Sequence, residues 1–77
     1  MLSMMLRDLR VRRGGFETLT AAAEALGVRH SAVSRWESGD RQPSPSRLAA
    51  ILDGYGATKR ERDQAWATYR AEMEAAI

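Results

Sequence analysis

Residues 19–38 read LTAAAEALGVRHSAVSRWES, and this stretch predicts two short helices joined by a tight turn. Ala23 lies where the two helices would cross closely, and a larger side chain there would force them apart. Gly27 follows the last apolar residue of the first helix, where the chain must adopt a left-handed conformation that glycine tolerates. Val33 and Trp36 are three residues apart, so they share one face of the second helix and should seal it against the first. The stretch therefore has the pattern of a helix-turn-helix.

The remaining face of the second helix carries polar side chains, which are those of His30, Ser31, Ser34 and Arg35. A helix with one apolar face and one face of hydrogen-bond donors and acceptors suits the major groove of DNA, where base edges present matching groups. A structural alternative exists, because alanine-rich helical hairpins with a glycine at the joint also occur in many small helical bundles. The spacing alone favours DNA binding over a purely structural bundle.

The flanking residues predict three further helices and no strand. Apolar residues recur at helical spacing from Leu2 to Leu9, which predicts a first helix that ends near Arg13. Thr18 is the predicted N-cap of the second helix, and Thr20 is the competing one. The third helix should run over about residues 30–37.

Two capping signals predict where the last two helices begin. Ser44 followed by Pro45 is a cap with proline at the first helical position, so a fourth helix should start there. Thr58 and Glu61 form a predicted capping box, which should begin a fifth helix of about 19 residues.

The composition fits one small domain. A chain of 77 residues buries only about 60% of the surface that its unfolded form exposes, which allows one modest core. We therefore expect a single domain over residues 1–77, with a C-terminal helix over about 58–76. The chain has no cysteine and no apolar run near the roughly 18 residues of a membrane span, so disulfides and a membrane anchor are not expected. The expected location is the cytoplasm.

The net charge is only +2, but the charges are unevenly distributed. Residues 1–47 carry a net charge of +3, whereas residues 48–77 carry −1. Eleven of the twelve basic residues are arginine, whose planar guanidinium suits bidentate contacts with phosphate and guanine. A GC-rich genome would produce the same arginine excess. The positive surplus nevertheless accompanies the helix-turn-helix.

Two longer stretches, LRDLRVRRGG and ALGVRHSAVSRWESGDRQPSPSRLAAIL, resemble the Cro and lambda-repressor type of helix-turn-helix domain, also called XRE-type. The resemblance covers roughly residues 5–56, and its most specific parts are LGV, SRWESG and the Pro43-Ser44 pair. It implies an all-α, compact five-helix bundle in which helices 2 and 3 form the helix-turn-helix. It also implies binding to double-stranded DNA as a dimer or as paired domains.

The resemblance further implies two sets of DNA contacts. His30, Ser31 and Arg35 are expected to point at base edges, with Ser34 at the margin of the same face. Arg35 is the strongest candidate, because its guanidinium can donate to both O6 and N7 of guanine. Phosphate contacts are expected from Thr18, Thr20, Arg29, Ser38 and Arg41 at the ends of the motif. Arg12, Arg13 and Arg47 are candidates for outer phosphate contacts. For these three residues, however, a solvent-exposed surface position without a DNA contact is the favoured interpretation.

Arg10 and Glu37 are expected to have a structural role. The resembling family commonly pairs an arginine of the first helix with a glutamate at the end of the recognition helix. Arg29 departs from that family, which usually has a Ser or Thr cap at this position. The exchange removes a cap worth about 1 kcal/mol and adds a charge for the DNA backbone.

The fifth helix leaves the most alternatives open. The tail LDGYGATKRERDQAWATYR is similar to the fifth-helix region of some actinobacterial members of the XRE type. Tyr69, Met73 and Ile77 are candidate contacts for a dimer or a protein partner, and packing on the domain's own core is the alternative. A homodimer would place its recognition helices about 34 Å apart and would predict a palindromic operator.

We therefore expect a DNA-binding transcriptional regulator, and a repressor before an activator, because 77 residues leave little room for an activating surface. The alternative is an antitoxin or adaptor whose C-terminal helix binds a protein partner. RNA binding is disfavoured, because no aromatic surface for unpaired bases is evident. An enzyme is not expected, since the chain has one histidine and no Gly-rich phosphate loop. No cofactor and no metal are expected.

Overall fold

The computed structural model describes residues 1–76, and within them the chain folds as the predicted all-α bundle. Ile77, a candidate partner contact, lies outside the described residues. No strand occurs in residues 1–76, and no helix there is long and apolar enough to cross a membrane. The five helices of this part of the chain are α1 (Leu2–Asp8), α2 (Leu19–Leu26), α3 (His30–Ser38), α4 (Pro45–Gly54) and α5 (Lys59–Ala75).

Side-chain caps begin three of these helices at the predicted residues. The Thr18 hydroxyl accepts a hydrogen bond from the amide three residues later at 3.1 Å, so Thr18 rather than Thr20 caps α2. Ser44 caps α4 in the same way, at 3.3 Å. Thr58 and Glu61 form both hydrogen bonds of the predicted capping box at the start of α5. The local sequence therefore predicts these three boundaries correctly.

The first helical segment reaches Arg13 as predicted, but its last part is a π-helical turn over Leu9–Arg13. The Gly14 amide donates to the Leu9 carbonyl, five residues earlier, at 2.8 Å. Hydrophobic spacing does not distinguish a π turn from an α turn over so short a stretch. The sequence therefore predicts the helix but not its widening.

The core is formed by the apolar faces of all five helices. Burial of each Val, Leu or Ile side chain contributes about 1.5–3 kcal/mol, so the buried apolar side chains of these helices are enough to hold a small bundle together without disulfides. The chain has no cysteine. The least exposed core residues are Leu2, Leu6, Ala22, Val33, Leu48, Ile51, Leu52, Tyr55 and Ala65, each at most 2% exposed.

The C-terminal helix α5 lies antiparallel to the first helical segment. Glu61, in the first turn of α5, accepts hydrogen bonds from Arg12 and Arg13 at the end of that segment. Glu72, near the other end of α5, accepts one from the Leu2 amide at 2.8 Å. Contacts at both ends therefore hold α5 along the bundle.

Tyr69 is buried in the domain's own core, which corrects its assignment as a partner contact. Its ring packs edge-on against Trp66 with 5.7 Å between the ring centroids, and only 7% of the residue is exposed. Met73, one turn further along α5, is 44% exposed. Helical spacing places both residues on one stripe, but it does not indicate how far the core extends beneath that stripe.

Candidate nucleic-acid interface

The turn between α2 and α3 is built around Gly27, as the sequence predicts. Gly27 adopts the left-handed conformation, with φ 68° and ψ 32°, and it ends α2. The Val28 amide donates back to the Ala23 carbonyl at 3.0 Å, which closes the turn. Ala23 is only 4% exposed, and α2 packs directly against α3.

Helix α3 turns one face into the core and the other to the solvent. Val33 and Trp36 are buried and fix the helix against the bundle. The residues predicted to contact bases lie on the outer side, where Ser34 is half-buried and His30, Ser31 and Arg35 are exposed. The structure thus brings these four side chains together on a helix that is packed from behind.

An open groove of about 740 Å³ lies between α3 and the start of α4. It is lined by four exposed arginines, which are Arg29, Arg35, Arg41 and Arg47. None of these four guanidinium groups forms a hydrogen bond or an ion pair with any residue of the range 1–76. Four unpaired cations beside a polar helix face produce a positive potential that attracts a polyanion.

Arg12 and Arg13, considered as outer phosphate contacts, are instead engaged within the domain. Arg12 Nη2 lies 2.9 Å from Asp8 Oδ2 and 2.9 Å from Glu61 Oε2. Arg13 Nε lies 3.0 Å from Glu61 Oε1. Arg47, the third residue of that set, lines the groove. Arg12 and Arg13 therefore differ from the four arginines of the groove, because their guanidinium groups are already paired with carboxylates.

The Glu61 carboxylate accepts hydrogen bonds from three groups. The Thr58 amide, then the Arg13 guanidinium and the Arg12 guanidinium, lower the pKa of Glu61 from 4.5 to about 2. The carboxylate is therefore charged over the whole physiological range. It connects the start of α5 to the end of the first helical segment.

The other predicted phosphate contacts lie at the ends of the helix-turn-helix, outside the groove lining. Thr18 and Thr20 are exposed at the start of α2, where the Thr18 hydroxyl is already occupied as a cap. The Ser38 hydroxyl donates to the Arg35 carbonyl at 3.1 Å and accepts from the Asp40 amide at 3.3 Å. Ser38 therefore also shapes the end of α3.

Arg29 occupies the N-cap position of α3, and no side chain caps this helix. Its carbonyl accepts from the Ala32 amide at 3.0 Å, so the first turn is closed by the backbone alone. A helix N-terminus without a capping side chain leaves amides free for an anion, and the arginine adds a positive charge there. Arg29 thus places a positive charge where a capping Ser or Thr would otherwise satisfy these amides.

Arg10 and Glu37 form a buried, bidentate ion pair. Arg10 Nε donates to Glu37 Oε2 at 2.8 Å and Nη2 donates to Oε1 at 3.2 Å. Arg10 Nη1 also donates to the Phe16 carbonyl at 2.8 Å. Nearby, burial raises the pKa of Tyr55 to about 12, and the negative charge of Glu37 adds to that effect. The pair therefore joins the end of α3 to the first helical segment.

Some groove-lining residues and long-range contacts of this surface escape the sequence analysis. Gln42 and Ser44 line the groove, although Ser44 is predicted only as a helix cap. A cap followed three residues later by an arginine places both on the first turn of α4, and this spacing could have identified Ser44 together with Arg47. The contacts of Tyr69 and Glu72 with the loop beside the groove span 26 and 30 residues, and no local signal predicts them.

A glycine turn between two crossing helices, an outward polar face on the second helix and an arginine-lined groove beside it define a helix-turn-helix DNA-binding domain. Residues 2–65 match a family model described as a helix-turn-helix domain. The chain belongs to this Cro/lambda-repressor-like, XRE-type family. Comparison with curated proteins gives no match, and comparison with solved structures gives none either.

Proposed function

We propose that this protein is a sequence-specific transcriptional regulator that binds double-stranded DNA with α3 in the major groove. Membership of the helix-turn-helix family supports a DNA-binding regulator as the general class. One observation carries the proposal furthest: Arg35 is exposed on the outer side of α3, in the same groove as three further unpaired arginines.

The proposed base contacts come from the outer face of α3. Arg35 donates to O6 and N7 of a guanine, a pairing worth about 1–3 kcal/mol of discrimination against other bases. His30 and Ser31 precede it by about one turn, where they meet the neighbouring base pairs, and Ser34 contributes from the margin. The buried side of α3 supports this role, because a base-reading helix must be held rigidly.

The proposed phosphate contacts surround α3. Arg29 at its start and Arg41 after its end approach the DNA backbone on the two sides of the recognition helix, and Arg47 adds a contact from α4. Uncharged groups add further phosphate contacts. These are the side chains of Thr20 and Ser38 and the free backbone amides in the first turn of α2, after Thr18. These contacts fix the orientation of α3 but carry no base sequence information.

We further propose that the protein acts in the cytoplasm as a repressor and binds a palindromic operator as a homodimer, with no enzymatic activity. Repression needs no further surface on this domain, because occupancy of DNA alone can block transcription. The exposure of Met73 also favours a second candidate, an antitoxin or adaptor that binds a protein through α5. Met73→Asp separates the two candidates. An adaptor should lose partner capture, whereas a regulator should keep its DNA preference, which depends on α3.

The decisive experiment is selection of bound sequences from a randomised duplex pool, with wild type, Arg35→Ala, Arg35→Lys and Arg60→Ala. Wild type should enrich a defined motif, and Arg35→Ala should lose preference at one base pair of each half-site. Arg35→Lys keeps the charge but loses the planar fork, so it should retain non-specific affinity and lose the same preference. Arg60→Ala, an exposed arginine of α5, is the matched control for loss of charge. If Arg35→Ala enriched the same motif as wild type with an unchanged preference at every base pair, the proposal would be contradicted.

A further inference from the structure

The loop between α3 and α4, residues 39–43, is attached to α3 at its beginning. The Arg41 amide donates to the Arg35 carbonyl at 3.3 Å, and the Asp40 amide donates to the Ser38 hydroxyl at 3.3 Å. Gly39 turns the chain with φ 82°, in the left-handed region. The first half of the loop therefore follows the end of the recognition helix.

The second half of the loop is attached to α5 instead. The Tyr69 hydroxyl donates to the Pro43 carbonyl at 2.9 Å, and this hydrogen bond is buried. The Gln42 side-chain amide donates to Glu72 Oε1 at 2.8 Å. Tyr69 and Glu72 are three residues apart, so they lie on the same face of α5. Two adjacent loop residues are thus held by one face of the C-terminal helix.

These attachments lie between residues that line the groove. Arg41 precedes the two attached loop residues and Ser44 follows them, and both border the groove together with Arg35. Tyr69 and Glu72 do not line the groove themselves. Gln42 and Pro43, which they hold, line the groove as well, so any positional effect of Tyr69 and Glu72 on the groove passes through these loop residues.

We infer that Tyr69 and Glu72 are positioning residues for the DNA-backbone contacts of this loop. By fixing Pro43 and Gln42, they hold Arg41 and Ser44 at a set distance from α3, so that phosphate and base contacts form together. The inference rests on the proposed function, and it gives α5 a part in DNA binding without direct contact. Loss of the Tyr69 hydroxyl leaves a buried carbonyl without a partner, so the loop should move to satisfy it.

The first test measures the affinity of Tyr69→Phe for the duplex that wild type selects from a randomised pool. The substitution keeps the ring and its packing against Trp66 but removes the hydrogen bond. Binding should weaken about three- to tenfold, because the phosphate contact of Arg41 is no longer held in place. The dependence of affinity on salt should also become shallower, because fewer phosphates are contacted. A purely structural Tyr69 would lower the melting temperature but leave the salt dependence of the folded protein unchanged.

A double-mutant cycle with Arg41 gives the sharper readout. If Tyr69 acts through the loop, Tyr69→Phe should have little further effect once Arg41→Ala has removed the positioned side chain. Arg29 lies at the opposite end of α3, so Tyr69→Phe and Arg29→Ala should be additive. Additivity of Tyr69→Phe with both arginine variants would overturn the inference.

Glu72 is tested against a matched carboxylate on the same helix. Removing any acidic residue should strengthen binding to DNA slightly by reducing repulsion. Glu74 is exposed and its side chain makes no hydrogen bond or ion pair within residues 1–76, so Glu74→Ala measures that charge effect alone. Glu72→Ala should bind more weakly than Glu74→Ala.

The outcomes separate this inference from the proposed function. If wild type enriches no motif, both fail. If wild type enriches a motif while Tyr69→Phe binds like wild type and Glu72→Ala binds like Glu74→Ala, the proposed function stands and the positioning role is wrong.

Discussion

Arg10 and Glu37 lie 27 residues apart in the chain, yet their side chains meet at 2.8 Å with only 7% and 8% of their surfaces exposed. The pair connects the first helical segment to the end of α3. The Arg10 guanidinium also donates to the Phe16 carbonyl, so its N–H groups have acceptors on two sides. A buried pair of this kind fixes geometry more than it adds stability, since desolvation offsets much of the attraction.

Removal of one member of this pair should be severely destabilising. Glu37→Ala leaves the Arg10 charge buried without its partner, so the free energy of unfolding should fall by about 3–5 kcal/mol. Replacing both residues, by Arg10→Met and Glu37→Leu, should recover most of this loss because neither charge remains. Urea unfolding followed by circular dichroism measures both variants.

The exposed pair Lys59–Asp63 supplies the control for this comparison. Its side chains are 84% and 65% exposed, so Lys59→Ala should cost less than about 1 kcal/mol. Equal unfolding midpoints for Glu37→Ala and Lys59→Ala would show that the Arg10–Glu37 pair does not hold α3 in place.

Glu61 makes the stability of the domain depend on pH. Its pKa is lowered from 4.5 to about 2 in the folded protein, so the charged form is favoured by folding. The resulting stabilisation is complete above the unfolded value of 4.5 and is lost as the pH falls towards 2. Glu61→Gln keeps an oxygen for the Thr58 amide but loses the charge. Its melting temperature should therefore lie below that of wild type at neutral pH, and the difference should shrink on acidification.

Asp63→Asn is the control for Glu61→Gln, because Asp63 pairs with the exposed Lys59. Thermal unfolding of the three proteins across the acidic range separates the two carboxylates. A difference between wild type and Glu61→Gln that does not change between neutral and low pH would exclude this assignment.

Substitutions at Gly27 should act through the backbone alone. A Cβ atom at Gly27 meets nothing within 4 Å, so the cost arises from its φ of 68°. Gly27→Ala should destabilise the protein by about 1–2 kcal/mol. Gly27→Asn should cost less, because asparagine tolerates the left-handed region better. Chemical unfolding measures both variants, and equal losses for the two would indicate a steric rather than a conformational cause.

Local chemistry explains why much of the fold is predictable from the sequence. Thr18, Ser44 and Thr58 cap helices through amides only three residues away, and Gly27 turns the chain by its own backbone freedom. The outward face of α3 is likewise predictable, because Val33 and Trp36 define the buried side at helical spacing. These features depend on neighbours in the chain and therefore remain visible in it.

Long-range contacts explain what the sequence does not predict. Arg12 and Arg13 have the same chemistry as Arg47, yet a carboxylate 48 or 49 residues away engages the first two. Tyr69 lies on an apolar stripe whether it faces the core or a partner, and its hydrogen bond to the Pro43 carbonyl, 26 residues away, cannot be read from that stripe. Pairings of this kind depend on how helices pack, which no local spacing specifies.

Arg12 and Arg47 should therefore differ in their effect on the salt dependence of DNA binding. Arg47 lines the groove without a partner in residues 1–76, so Arg47→Ala should reduce the slope of log affinity against log salt by about 0.9 per bound protomer. Arg12 is engaged by Asp8 and Glu61, so Arg12→Ala should leave the slope unchanged while lowering stability.

Fluorescence anisotropy at several salt concentrations, on a duplex selected by the wild type, measures these slopes. Because a phosphate contact carries no base information, the ratio of affinities for the selected duplex and a scrambled one should stay the same in Arg47→Ala. A slope that changes as much in Arg12→Ala as in Arg47→Ala would mean that general charge, rather than the arginines of the groove, drives association with DNA.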